Sequence, residues 1–122
     1  LKMLVGIDIL DVMRMEKFIQ NEHFLGKYFT PYEAMYVSQT MRKTQSLAGI
    51  YCAKEAFLKA LGIGLNNGIA LNEIEVAHDE NGKPFIRLSD GAKIVLATYG
   101  ISDVQINIRH TDDVCTAVCV MQ

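Results

Sequence analysis

The stretch from Tyr51 to Gly62, YCAKEAFLKALG, constrains this chain more than any other. With the residues just before it, it places apolar side chains at Leu47, Ile50, Tyr51, Phe57, Leu58 and Leu61. That is the 3.6-residue period of a helix with one buried face. The helix is the longest in the chain, and Gly62 is its natural C-cap. Position 54 falls inside the apolar stripe, yet it is Lys54. Glu55 and Lys59, four residues apart, lie together on the flank. One explanation is ordinary: an exposed Glu55–Lys59 pair, with Lys54 snorkelling past the core. The other is chemical, and the rest of the chain has to decide between them.

Before this helix, Met3 to Ile9 is an apolar run of strand length, interrupted by Asp8. A carboxylate in such a run is costly to bury unless it is paired, hydrogen-bonded or bound to a metal. Asp11 is available to cap the following helix, which leaves Asp8 free to act as a ligand. The pattern predicts a helix from Asp11 to about Asn21, with Val12, Met15, Phe18 and Ile19 as its stripe and Arg14 and Lys17 on other faces. His23 to Phe29 reads as a short apolar connection. Thr30-Pro31-Tyr32-Glu33 is a capping box with proline at the first helical position, starting a helix that runs to about Thr40. Arg42 and Lys43 then place two cations at the mouth of the long helix.

Beyond that helix, Gly62 to Gly68 is a glycine-rich loop without the P-loop lysine or GxGxxG spacing, so it is a weak phosphate signal on its own. Glu73 to Val76 alternates, as does Pro84 to Leu88, and Asn81-Gly82 between them is a hairpin turn. Gly91 to Tyr99 reads as a helix closed by Gly100. Val104 to Ile108 alternates strictly, Thr111-Asp112-Asp113 is a turn, and Val114 to Met121 is a last apolar strand. Residues 1–122 are thus expected to form a single α+β domain, a mainly antiparallel sheet packed against helices.

Apolar residues make up 50% of the chain and charged ones 21%, ordinary for a globular protein. A net charge of −2 gives no global case for nucleic acid, and no apolar run approaches membrane-spanning length. The three cysteines, Cys52, Cys115 and Cys119, are odd in number and lack CxxC or zinc-like spacing. They read as small core residues of a cytoplasmic protein. Of the histidines, His23 and His78 lie beside expected loops and read as solvated. His110, at a strand end, is a candidate anion or proton-transfer site or a structural histidine.

Three segments together resemble the holo-acyl-carrier-protein synthases, the short phosphopantetheinyl transferases of fatty acid synthesis. They are Gly6-Ile7-Asp8 followed by Arg14; Leu47-Ala48-Gly49 with Tyr51-Cys52-Ala53-Lys54-Glu55-Ala56, Lys59 and Gly62-Ile63-Gly64; and the alternating strand ending at His110. The likeness continues through Ile74-Glu75-Val76 and Asn81-Gly82-Lys83-Pro84. The resemblance implies a phosphopantetheinyl transferase fold and transfer of the 4'-phosphopantetheine arm of coenzyme A to a serine of apo-acyl carrier protein, with release of adenosine 3',5'-bisphosphate. It implies Mg²⁺ held by Asp8 and Glu55, and a homotrimer with active sites between subunits.

The residues fit that chemistry. Mg²⁺ takes one or two carboxylates plus phosphates and water, and phosphoryl transfer is mostly positioning and charge stabilisation. Lys59, one turn after Glu55, is placed to balance charge on the leaving phosphate or relay the serine proton. Lys54 reads as a structural or substrate-orienting cation. Arg42 and Lys43 are candidates for the 3'-phosphate of coenzyme A, with Lys59, Gly62, Gly64 and His110 as further contacts. Arg14 and Lys17 suit the acidic surface of acyl carrier protein. Ile50 stands where the family often has arginine, and Asn107-Ile108-Arg109-His110 where Ser-Ile-Ser-His is usual, which makes Arg109 a candidate replacement cation. The alternative is a non-catalytic α+β oligomerising or ligand-binding module, in which Glu55–Lys59 is a surface ion pair and Asp8 is hydrogen-bonded locally.

Overall fold

Two hairpins and a long helix set the architecture in the computed structural model, which describes residues 2–63 and 68–122. Strand β1 (Leu4–Asp11) pairs antiparallel with β5 (Val114–Met121), and β5 pairs antiparallel with β4 (Val104–His110), giving the order β1-β5-β4. Strands β2 (Ile74–His78) and β3 (Pro84–Leu88) form a separate hairpin. The helices are α1 (Glu22–Tyr28), α2 (Pro31–Gln39), α3 (Lys43–Leu61) and α4 (Asp90–Thr98). Short 3₁₀ segments cover Val12–Phe18 and Leu71–Glu73. The expected α+β class with antiparallel strands is what forms.

Helix α3 is the core. It lies on β1, β5 and β4 on one side and meets α2 and β2 on another. Leu47, Ile50, Phe57 and Leu58 are buried, as are the small residues Ala48, Gly49, Cys52, Ala53, Ala56 and Ala60. A helix buried on more than one face is what a two-sided environment requires. Gly62 closes it in the left-handed region at φ 74°, as expected. Gly6 lets β1 touch it: a Cβ at Gly6 would overlap the Ala56 carbonyl oxygen and the Ala60 backbone nitrogen. Glycine there is a packing requirement of the strand–helix contact.

The strand period sorts β1 into two faces. Gly6, Asp8 and Leu10 stand opposite Cys119, Ala117 and Cys115 on the helix side. Val5, Ile7 and Ile9 point away and remain 59%, 65% and 73% exposed. Cys115 and Cys119 are buried and unpaired, the small core residues their spacing predicts.

The segment after β1 departs from expectation. No α-helix spans Asp11 to Asn21. Pairing with β5 runs to Asp11↔Val114, and the Val12 N–H donates to the Asp113 carbonyl at 2.9 Å. The ladder therefore holds the chain extended through Asp11, and a 3₁₀ segment starts at Val12. Val12, Met15 and Phe18 recur every three residues, a spacing that serves a 3₁₀ turn equally well. Asp11 holds the cap position without a side-chain cap bond. The stretch expected as a connection, His23 to Phe29, is mostly α1. Its cap is Asn21, whose side chain accepts from the Phe24 N–H at 3.0 Å. The Thr30–Glu33 capping box forms as predicted.

Candidate active site

Strand alternation turns Asp8 toward α3, and the close packing licensed by Gly6 brings it to the last turns of that helix. Lys59 Nζ donates to Asp8 Oδ1 at 2.6 Å. The two side chains differ in freedom: Asp8 is 12% exposed and Lys59 55%. The Thr116 hydroxyl fixes the Asp8 backbone by donating to its carbonyl at 3.0 Å. The hydrogen bond and charge of Asp8 push the Lys59 ammonium above its ordinary value, and Glu55, one turn earlier, adds to that shift. Lys59 thus sits in the field of two carboxylates. The Glu55–Lys59 surface pair of the non-catalytic reading is not among the ion pairs of the described residues; Lys59 reaches Asp8 instead.

Tyr51 is a member of this group that sequence reasoning placed only in the apolar stripe. Burial, then the adjacent Glu55 carboxylate, pushes its hydroxyl up to about 12, while the charge of Arg14 opposes the shift. Tyr51, Glu55 and Arg14 are therefore neighbours. The i, i+4 spacing of Tyr51 and Glu55 is the signal that could have found the tyrosine. Arg14 is exposed on the 3₁₀ segment, as is Lys17, whose ammonium lies 5.1 Å from the centre of the Phe18 ring.

Lys54 does not snorkel. It is 0% exposed, and its ammonium meets Glu33 Oε1 at 2.5 Å, the Tyr28 carbonyl at 2.7 Å and the Leu71 carbonyl at 2.9 Å. The Phe29 ring lies 4.8 Å away. Glu33 accepts in addition from the N–H groups of Thr30 (2.9 Å) and Val76 (2.6 Å). Lys54 therefore has the structural role of the two considered: it ties α3 to the end of α1, the start of α2 and the approach to β2.

The remaining candidates lie at the other end of α3. Arg42 precedes its first turn and pairs with Asp112 at 2.9 Å, while Gln45 reaches the same carboxylate oxygen at 3.4 Å. Asp112 sits in the turn just beyond His110. His110, Gln45, Tyr36, Gly49, His78 and Gly82 border a cavity of about 260 Å³. Two buried atoms there, Gln45 Oε1 and His78 Nδ1, have no hydrogen-bond partner. His78 is not the solvated loop histidine expected: it ends β2 and stacks on Tyr36 at 3.9 Å. Lys43 borders a different, largely apolar cavity with Ile19, Leu25, Phe29 and Val37. Arg42 and Lys59 are seventeen positions apart along the helix, about 25 Å of rise. Asp8, Glu55, Lys59 and Gly62 thus lie at the C-terminal end of α3, and Arg42 and His110 at its N-terminal end. Gly64 lies outside the described residues.

Asp8 and Glu55 are hard oxygen donors with a cation already stationed on one of them. The described residues contain no cluster of three or more His, Cys, Asp or Glu suited to a metal. Two carboxylates, with the nearby Cys52 thiol pushed up by its surroundings and so kept protonated, suit an oxygen-seeking divalent ion that completes its shell with water and phosphate, and not zinc.

Residues 4–119 match the 4'-phosphopantetheinyl transferase superfamily. The holo-[acyl-carrier-protein] synthase of Caldanaerobacter subterraneus is 35% identical over 121 residues, covering 98% of this chain and 94% of the relative. The crystal structure of the Neisseria meningitidis holo-[acyl-carrier-protein] synthase superposes with a TM-score of 0.89 at 29% identity, covering 98% of this chain and 97% of that one. The Helicobacter pylori enzyme, solved in complex with coenzyme A, gives 0.85 at 27% identity, covering 98% and 100%. With Asp8, Glu55 and Lys59 gathered on a fold of this kind, the chain belongs to the 4'-phosphopantetheinyl transferase superfamily and, within it, to the holo-acyl-carrier-protein synthases.

Proposed function

We propose that the chain transfers the 4'-phosphopantetheine arm of coenzyme A to a serine hydroxyl of apo-acyl carrier protein, giving holo-acyl carrier protein and adenosine 3',5'-bisphosphate. The observation that carries this reading is the Asp8–Lys59 pair with Glu55 beside it, on a family whose Helicobacter pylori member was solved with coenzyme A. Asp8 and Glu55 are the carboxylates for Mg²⁺, which when bound supplies positive charge against the pyrophosphate. Lys59 offers a mobile ammonium to the leaving phosphate; held protonated by Asp8, it is a donor and not the group that accepts the serine proton. Tyr51 lies beside Glu55. Arg14 and Lys17, exposed on the 3₁₀ segment, present cations to an acidic carrier protein.

Arg42 and His110 serve the nucleotide half of coenzyme A, and the unpartnered Gln45 and His78 atoms offer its base polar contacts. Lys43 and Gly62 are kept as phosphate candidates, and so is Gly64 by likeness alone. The pyrophosphate and 3'-phosphate of coenzyme A are carried by one ribose, so they cannot reach both Lys59 and Arg42 of one chain across about 25 Å. The two ends come instead from neighbouring protomers of a homotrimer. The exposed Val5, Ile7 and Ile9 supply an apolar face for that assembly. The 122 residues act as one domain in the cytoplasm; the buried, unpaired cysteines agree with a reducing compartment. No helix among the described residues is long and apolar enough to cross a membrane.

The test is to incubate the protein with coenzyme A, Mg²⁺ and apo-acyl carrier protein and measure the carrier mass. A gain of one phosphopantetheine is expected. An unchanged carrier, under conditions where another holo-acyl-carrier-protein synthase modifies it, overturns the reading.

A further inference from the structure

We infer that Lys59 is an internal stand-in for the divalent cation: its ammonium occupies Asp8 in the free enzyme and yields most readily when the metal arrives together with the pyrophosphate of coenzyme A. The inference rests on the reading of Asp8 and Glu55 as the metal carboxylates and adds an order to the binding. Nζ of Lys59 stands 2.6 Å from Asp8 Oδ1. A metal bonded to that oxygen at about 2.0–2.1 Å would crowd the ammonium beside it. The carboxylate is the fixed partner, because Asp8 lies in the β1–β5 ladder opposite Ala117 and its carbonyl is held by Thr116. The lysine is the movable one, with 55% of its side chain exposed on the last turn of α3.

The energetics suit a displaceable plug. A solvent-exposed ion pair contributes little net stability, so it opens readily. With Lys59 in place, a bare divalent ion meets a like charge at the mouth of its site. A pyrophosphate changes both terms: its oxygens give the displaced ammonium a new partner and fill the metal's remaining coordination positions. Metal and coenzyme A therefore bind with positive coupling, each strengthening the other by the same factor.

The experiment measures Mn²⁺ binding by electron paramagnetic resonance, with and without coenzyme A, for the wild type and for Lys59→Met, Lys59→Arg and Asp8→Asn. Thermal unfolding confirms that the exposed-site variants fold. Lys59→Met is expected to bind Mn²⁺ alone on the order of ten-fold more tightly than the wild type, and to show a smaller enhancement by coenzyme A, the part left being the direct metal–pyrophosphate bonds. Lys59→Arg, which keeps a cation, is expected to stay weak. If Lys59→Met binds Mn²⁺ no more tightly than the wild type while Asp8→Asn abolishes binding, the metal site stands and the plug is overturned. If Asp8→Asn binds Mn²⁺ as the wild type does, the metal site is elsewhere and both ideas fall.

Discussion

Lys54 Nζ and Glu33 Oε1 lie 2.5 Å apart at the centre of the molecule, with neither side chain exposed. Burial lowers the lysine's affinity for its proton and raises that of the glutamate, and each opposes the shift in the other. The pair survives because both groups are also hydrogen-bonded to backbone. Removing one partner leaves the other charge buried alone. Lys54→Met is therefore expected to lose about 3–5 kcal/mol of stability. The double variant Lys54→Met, Glu33→Leu should recover only part of that loss, because the Thr30 and Val76 N–H groups lose Glu33 as their acceptor. Chemical denaturation of the three proteins checks this, and a double variant no more stable than the single one would contradict it.

Gly6 and Gly26 should respond oppositely to alanine. At Gly6 the new Cβ runs into the α3 backbone, which cannot move aside cheaply. Gly6→Ala is expected to unfold the protein or cost more than about 3 kcal/mol. Gly26, in α1, has nothing within 4 Å of such a Cβ, so Gly26→Ala should add about 0.5–1 kcal/mol through helix propensity. Melting temperatures of the two variants give the answer.

Asp8→Asn and Glu55→Gln keep the size of each side chain and remove its charge. Each is expected to lower kcat/KM at least about 100-fold while the circular dichroism spectrum is unchanged. A variant with full activity removes that residue from the metal site.

The outer face of β1 is tested by charge. Ile7→Asp and Ile9→Asp put carboxylates on an apolar surface without touching α3. Light scattering should show a trimer for the wild type and monomers for the double variant, with transfer activity lost in the monomer.

His78 makes stability depend on pH. Burial holds its ring below the ordinary value of 6.5, partly offset by Asp79. Below about pH 6.5 the unfolded chain takes up a proton that the folded chain refuses, so stability falls with pH there and is fully present above it. His78→Phe keeps the stacking on Tyr36 and should flatten that dependence. Denaturant midpoints at about pH 7.5 and 5.5 measure it.

Much of this was legible in the sequence because it is written locally. The Leu47–Leu61 stripe, the Thr30–Glu33 capping box, Gly62 and Asn81-Gly82 each specify a helix, a cap or a turn from neighbouring residues. The Asp8 interruption, with Glu55 and Lys59 one helical turn apart, marked the site. The segment after β1 misled because a three-residue period serves two kinds of helix, and the choice lay with the β1–β5 ladder. By itself the sequence determined most of the elements, the family and the candidate residues. Only the tertiary structure decided partners: Lys59 with Asp8 rather than Glu55, Lys54 with Glu33, and Arg42 with Asp112. Pairings between charges distant in the chain follow from where strands and helices pack, and no local period encodes that.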